Sequence, residues 1–197
     1  MKKIIITSFV LICSLQIQAQ ATFNSGIKAG VNNTHFSSQA GLFDNGDDSY
    51  RTFSSQTSYY FGGFIDMNLS KVYTLSPELL YSNQGSEYVF APDGGVKTSG
   101  TIKVSYLDLN IVNKFNFAEN FYPYIGTSVD FLLDRNYDTD SQTDLGLFIG
   151  AGLKFGKNFG IEARAKKGLI PVLDYSDGNH NNVVFQFGAT YTFDTKK

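Results

Sequence analysis

The sequence predicts an all-β chain: an eight-stranded, antiparallel, up-and-down transmembrane β-barrel with short periplasmic turns and long extracellular loops. Three observations carry this expectation. Apolar and polar residues alternate with period two through eight segments, aromatic and glycine residues are abundant while charge is scarce, and the connections between segments alternate between short and long.

The 197 residues suit one domain, at roughly 100–200 residues per domain. Charged side chains make up 17% of the chain, below the roughly 25% of a soluble globular domain, so little of its surface is built for water. A net charge of −2 argues against a nucleic-acid partner, which calls for a basic face. The hydrophobic share of 42% excludes a disordered chain.

Met1-Lys2-Lys3, the apolar stretch Ile4–Leu15 and the small residues around Ala19 and Ala21 have the layout of a secretory signal peptide. The expectation is a signal over residues 1–19, cleaved after Ala19 or Ala21, and a single barrel domain over 20–197. A helical anchor needs about 20 apolar residues, and this stretch is too short. Ile12 stands before Cys13 where a lipoprotein signal has a small residue, so lipidation is not expected. Cleavage removes Cys13, the chain's one cysteine, and with it any disulfide.

Each strand follows from the alternation, since successive side chains on a strand point to opposite faces. The first sets Ile27, Ala29 and Val31 against Gly26, Lys28, Gly30 and Asn32. The second sets Tyr59, Phe61, Ile65, Met67 and Leu69 against Tyr60, Gly62, Asp66 and Asn68. The third opposes Leu75, Pro77, Leu79 and Tyr81 to Ser76, Glu78 and Ser82. The fourth opposes Leu107, Leu109 and Ile111 to Asp108 and Asn110. Its earlier half (Ile102, Val104, Tyr106) carries apolar residues on the other parity, which predicts a bulge or a late start. The fifth places Phe121, Pro123, Ile125, Val129, Phe131 and Leu133 against Tyr124, Gly126, Ser128 and Asp130. The sixth, Asp144–Phe155, has Leu145, Leu147, Ile149, Ala151, Leu153 and Phe155 on one face and Asp144, three glycines, Phe148 and Lys154 on the other. As a helix it would hold those glycines at about 1 kcal/mol each. The seventh pits Phe159, Ile161 and Ala163 against Glu162 and Arg164. The eighth pits Val183, Phe185, Phe187, Ala189, Tyr191 and Phe193 against Gln186, Gly188, Thr190 and Thr192.

Ser70-Lys71, Ala118–Asn120 and Gly156–Asn158 read as tight turns. Ser37–Gln56, Gly85–Gly100, Asp134–Gln142 and Gly168–Asn181 read as long loops. A soluble lipocalin-like barrel also alternates, but its outer face needs dense Lys and Glu, and here the polar face holds one or two charges per strand. That face suits the interior of an eight-strand barrel, which is only wide enough for side chains to fill. Buried charges must be paired. Lys28, Asp66, Glu78, Asp108, Asp130, Lys154, Glu162 and Arg164 are therefore expected to form an ion-pair network in the lumen, with Lys166 adding a further positive charge.

Gln186–Phe193 resembles the C-terminal β-signal read by outer-membrane assembly machinery, with Gly188, Tyr191 and Phe193 in the signal positions and Asp194–Lys197 beyond them. Gly26-Ile27-Lys28-Ala29-Gly30-Val31-Asn32 resembles the opening strand of the Bacteroidetes-type outer-membrane β-barrel domain, the PorT-like or "porin family" group. Leu75–Ser82, Tyr106–Asn110, Phe121–Gly126 and Gly150–Gly152 continue the resemblance in order, with Asn110 where many members have Pro. The resemblance implies an OmpA/OmpX-type eight-stranded barrel in the outer membrane of a Gram-negative cell. It implies outer-membrane lipids and the assembly machinery as partners, and no particular function.

Candidate chemistry is sparse. His35 beside Ser37 and Ser38, and His180 near Ser176 and Asp177, supply base and nucleophile types, yet both fall in expected loops without the fixed geometry a triad needs. Asp44–Asp48 and Asp134–Asp144 offer oxygen ligands without the spaced set of a calcium loop. Gly150–Gly156 has the wrong spacing for a dinucleotide loop and no helix after it. The sequence therefore points to no enzyme, no cofactor and no metal site. Its first function class is a structural or interaction role, in which extracellular loops contact an extracellular or envelope protein in adhesion, envelope integrity or secretion. The alternative is a narrow channel for small solutes; a lipid-modifying barrel enzyme and a soluble binding barrel rank below both.

Overall fold

In the computed structural model, residues 22–38, 50–91, 98–136, 142–170, 173–175 and 178–194 are described. The signal segment, Asp44–Asp48, Ser176 and Asp177 lie outside them. Nine strands follow one another: β1 (Thr22–Ser38), β2 (Tyr50–Asn68), β3 (Tyr73–Ala91), β4 (Thr98–Phe115), β5 (Phe121–Arg135), β6 (Thr143–Phe155), β7 (Phe159–Gly168), β8 (Leu173–Tyr175) and β9 (Gly178–Thr192). Each barrel strand pairs antiparallel with the next, and β1 pairs with β9, closing a barrel of eight strands. The three-residue β8 is an added flap on the free edge of β9.

Where side chains are described, even-numbered residues face the lumen along the body of all eight barrel strands and odd-numbered residues face out, with Ser105 at a register shift and Lys154 at the rim as exceptions. The outward set is apolar and exposed: Ile27, Phe61, Leu79, Ile111, Ile125, Ile149 and Phe187 each show two-fifths or more of their surface. Apolar side chains this exposed around a whole circumference are tolerated only where hydrocarbon replaces water. Aromatic rings gather at the short-turn rim, Tyr73 against Phe115, and Tyr191 against Phe159 and Phe193 at 5.0 and 5.8 Å. Gly156, in the left-handed region at φ 68°, makes the β6–β7 turn tight.

The long-loop side differs from the sequence expectation. β2 to β4 run into the stretches read as loops: β3 and β4 stay paired up to Phe90 with Thr98, and β2 begins at Tyr50, while β1 reaches Ser38. His35 and His180 accordingly sit on β1 and β9, with Ser38 opposite His180 in the ladder, rather than in loops. These segments lose the apolar–polar contrast between faces, as Ser54-Ser55-Gln56 and Tyr88-Val89-Phe90-Ala91 show, which reads as loop. Their backbone groups still pair because the neighbouring strand continues alongside. β5, β6 and β7 stop earlier, at Arg135, Thr143 and Gly168. Above Val104, the last partner of β5, β4 continues for six more residues, about 20 Å at 3.3 Å per residue. The barrel thus has one high wall and one low wall. Asn136 caps the exposed β4 edge, donating to the carbonyls of Lys103 and Thr101 and accepting from the Lys103 amide.

The fourth strand also departs from its reading. A register shift does occur against β5, between Ser105 and Tyr106. Yet Ile102, Val104 and Tyr106 are buried in phase with Asp108 and Asn110. The strand does not change faces; the lumen itself turns apolar near its upper end.

Candidate functional site in the barrel lumen

The lumen is filled in layers. At mid-height, β1 contributes Lys28, β3 Glu78 and β7 Glu162 and Arg164. Lys28 Nζ donates to Glu78 Oε1 at 2.5 Å and to Glu162 Oε2 at 2.6 Å. Arg164 donates to Glu78 Oε2 at 2.9 Å, and Asn110 reaches the same oxygen at 3.3 Å. The guanidinium lies 4.1 Å from the centre of the Phe148 ring, a cation–π contact with the ring's electron-rich face. Opposite walls of the barrel are tied together through these four charged groups, all nearly inaccessible.

Below this layer, Lys114 pairs with Asp66 at 2.8 Å, lies 3.8 Å from Glu162 and stacks over Phe64. Above it, Lys166 bridges Asp108 at 3.1 Å and Asp130 at 2.6 Å. Beside the charges, an amide ladder joins β9, β1 and β3. Gln186 donates to Asn32, Asn32 donates to Ser82 and to the Asn83 carbonyl, Gln84 donates to Ser82, and Asn182 donates to Gln84.

Aromatic rings fill the remaining space by lying across glycines. Phe64 covers Gly26, Tyr60 covers Gly30, Phe148 covers Gly126, Tyr124 covers Gly150 and Tyr122 covers Gly152. At each of these glycines a Cβ would fall within 3 Å of the ring. The cleared path lets Tyr122 reach Glu162 at 2.8 Å and Tyr124 reach the Ala163 carbonyl at 3.2 Å.

Seven of the eight charged residues expected in the lumen, Lys28, Asp66, Glu78, Asp108, Asp130, Glu162 and Arg164, meet ion-pair partners there. Lys154 meets no ion-pair partner among the described residues. Although on the inward parity, it lies exposed near the short-turn rim, where Nζ donates to Asn116 at 3.3 Å and sits over the Tyr122 ring at 5.2 Å, because its strand ends one residue later. Lys114 takes the internal place instead. Reading β4 as ending at Ile111 hid it, although its even number continues the series from Asp108. Asp144 is buried too, so among the described residues the internal set is four cations, Lys28, Lys114, Arg164 and Lys166, against six acids. Gly188 sits inward beneath Tyr60, while Tyr191 and Phe193 belong to the outer aromatic rim. Among the described residues, no group of three or more His, Cys, Asp or Glu converges as a metal cluster.

A closed barrel with an apolar outside and a polar, filled inside is an integral outer-membrane β-barrel. The family comparison agrees: the model of the outer membrane protein beta-barrel domain matches residues 18–174, and the chain belongs to that family. Among solved structures, it is similar to neisserial surface protein A, at 14% identity and TM-score 0.52, over 88% of this chain and 99% of that one. OprG from Pseudomonas aeruginosa matches at 13% identity and TM-score 0.49, over 91% and 100%. Ail from Yersinia pestis matches at 14% and 0.47, over 86% and 98%. No curated protein sequence matches significantly. The protein resides in the outer membrane, surrounded by its lipids.

Proposed function

We propose that this barrel is a rigid outer-membrane anchor whose upper wall and long loops contact an extracellular or envelope protein, and that it neither conducts nor catalyses. The observation that carries this reading is the ion-pair layer of Lys28, Glu78, Glu162 and Arg164, which crosses the lumen and spends the internal polar groups on one another. A second support is the high wall of β2–β4, paired up to Tyr50 with Ala91 and Phe90 with Thr98 and held above the low rim of β5–β7, where recognition on a rigid scaffold is favoured. The same reading takes residues 1–19 as an export signal. It takes Gly188, Tyr191 and Phe193 as the signal read by the assembly machinery, and the chain as a PorT-like, Bacteroidetes-type barrel.

Planar-bilayer recording of the purified protein tests it. A silent bilayer is expected, and stable single-channel steps would overturn the anchor reading in favour of transport. Deleting residues 39–49 and 92–97 is expected to leave the barrel folded and to abolish partner capture from intact envelopes. Undiminished capture would move the contact to the lipid-facing wall.

A further inference from the structure

We propose that the lipid-facing wall binds one anionic, phosphate-bearing lipid of the outer leaflet along β7, with the headgroup on Lys167 and an acyl chain in the trough below it. The two lysines near the end of β7 point opposite ways. Lys166 turns inward to Asp108 and Asp130, while Lys167 turns outward and is exposed. The ladder partners of Lys167 are Leu147 on β6 and Val183 on β9, so its stem rises from an apolar wall. An ionised side chain in such a place is costly unless its head reaches water or an opposite charge. Among the described residues Lys167 has no ion-pair partner. The outward positions next above Leu147 on β6 are Leu145 and Thr143, and neither is acidic. Because β7 ends at Gly168, one residue on, the four-carbon stem carries the ammonium up to the border of the apolar band, where lipid headgroups begin.

Below the ammonium the wall is hollowed. Ala165 stands between its ladder partners Ile149 on β6 and Phe185 on β9, which project with 62% and 53% of their surface exposed. The short methyl group leaves a trough of about 370 Å³ between Leu147, Ile149 and Val183, with Lys167 at its head. Two residues further down, Ala163 lies between Ala151 and Phe187, and the trough runs past Ala165 into a second hollow of about 570 Å³ beside Phe185 and Phe187. An apolar trough on this wall faces hydrocarbon, and a methylene chain fills it. Charge decides which lipid supplies the chain. A lysine at the head of the trough, with no acid at the neighbouring outward positions, complements a phosphate, and hydrogen bonds between ionised partners are the strong ones. The contrast lies on the same wall: a hollow of about 480 Å³ beside Ile27, Ala29, Phe61 and Tyr191 has no outward cation, and nothing there distinguishes one headgroup from another. Lys167 stands at the long-loop end of the barrel, the extracellular side, which puts the site in the outer leaflet.

Native mass spectrometry of the refolded full-length barrel reads the site. The protein in detergent micelles is offered equal amounts of phosphatidylglycerol and phosphatidylcholine, and the adducts carrying one lipid are compared. Phosphatidylglycerol is expected to be retained roughly fivefold over phosphatidylcholine, the scale of one lysine at an anionic lipid surface. Lys167→Gln should bring the two lipids to parity, and Lys167→Arg should keep the preference. Lys103→Gln, which removes another exposed outward lysine, on β4, should leave it unchanged. Ala165→Phe fills the trough without touching the lysine and should reduce both adducts several-fold; Ala165→Leu, a smaller filling, stands beside it. The heat-dependent gel shift reports that each variant is folded. Equal retention of the two lipids by the wild-type barrel would overturn the proposal. So would a preference that survives Lys167→Gln, or adducts undiminished in both Ala165 variants.

Discussion

Arg164→Ala tests the mid-lumen layer most sharply. The guanidinium is 6% exposed, donates to Glu78 at 2.9 Å and stacks on Phe148 and Tyr124 at 4.1 and 5.3 Å. Removing one partner of a buried ion pair costs about 3–5 kcal/mol. Glu78 would still hold Lys28 at 2.5 Å and Asn110 at 3.3 Å, which puts the electrostatic loss near the lower end, about 3 kcal/mol. The lost cation–π contacts add about 1 kcal/mol, and the vacated volume adds a cavity cost of the same sign. We therefore expect a destabilisation of about 4 kcal/mol, measured by urea unfolding in lipid vesicles and followed by tyrosine fluorescence and gel mobility. Glu78→Gln, which keeps the volume, should cost a similar amount by leaving Lys28 and Arg164 to share Glu162. The two changes together should cost less than their sum by about 1–3 kcal/mol. A loss under about 0.5 kcal/mol for Arg164→Ala, or strict additivity in the double variant, would refute the reasoning and make the polar face the solvent face.

The two lysines near the short-turn rim should separate in the same assay. Lys114→Ala strands Asp66 and is expected to cost about 2–4 kcal/mol, while exposed Lys154→Ala should stay within about 0.5 kcal/mol. Phe187→Arg puts a charge on the outer face opposite Ala163 and Val31 and should destabilise by about 2–4 kcal/mol; a neutral result would mean that this face meets water. Tyr191→Ala with Phe193→Ala should lower the folded yield in cell envelopes several-fold while refolding of the purified chain in detergent micelles persists. Equal loss in both settings would make these rings a matter of stability alone.

Period two was enough to place the strands because the two faces of a membrane barrel differ so strongly: Ile149 must meet hydrocarbon, and Glu78 must not. The same rule failed where the contrast fades. Gln56 and Ser86 lie on stretches polar on both sides, and only the paired neighbour shows that these are strands. Ile102, Val104 and Tyr106 mislead in the opposite way, since an apolar inward face mimics a change of parity. For the lumen charges, parity selected the right faces but not the depth. Depth follows from register, which places Lys114 among Asp66, Glu162 and Phe64 and leaves Lys154 at the mouth. No sequence pattern says that Asp108, Asp130 and Asp144 share one row, because that depends on how far each strand is staggered against the next.

The rings lying over glycines bear on how the barrel finds that stagger. Each ring covers its own ladder partner: Tyr122 over Gly152, Tyr124 over Gly150 and Phe148 over Gly126 along β5 and β6, then Phe64 over Gly26 and Tyr60 over Gly30 along β1 and β2. A slip of two residues between β5 and β6 keeps every side chain on its proper face, so neither lipid nor lumen would reject it. It would, however, bring Tyr124 against Phe148 or leave Tyr122 facing Lys154. The pairs therefore work as a vernier, penalising the two-residue errors that the alternation of faces cannot detect. In a closed barrel the staggers around the ring must sum to one fixed shear, so pinning two of the eight seams narrows the choices left to the other six. Ring and glycine should also be exchangeable only together. Replacing Gly150 by a larger residue is expected to be tolerated when Tyr124 is reduced to a small one, and not otherwise.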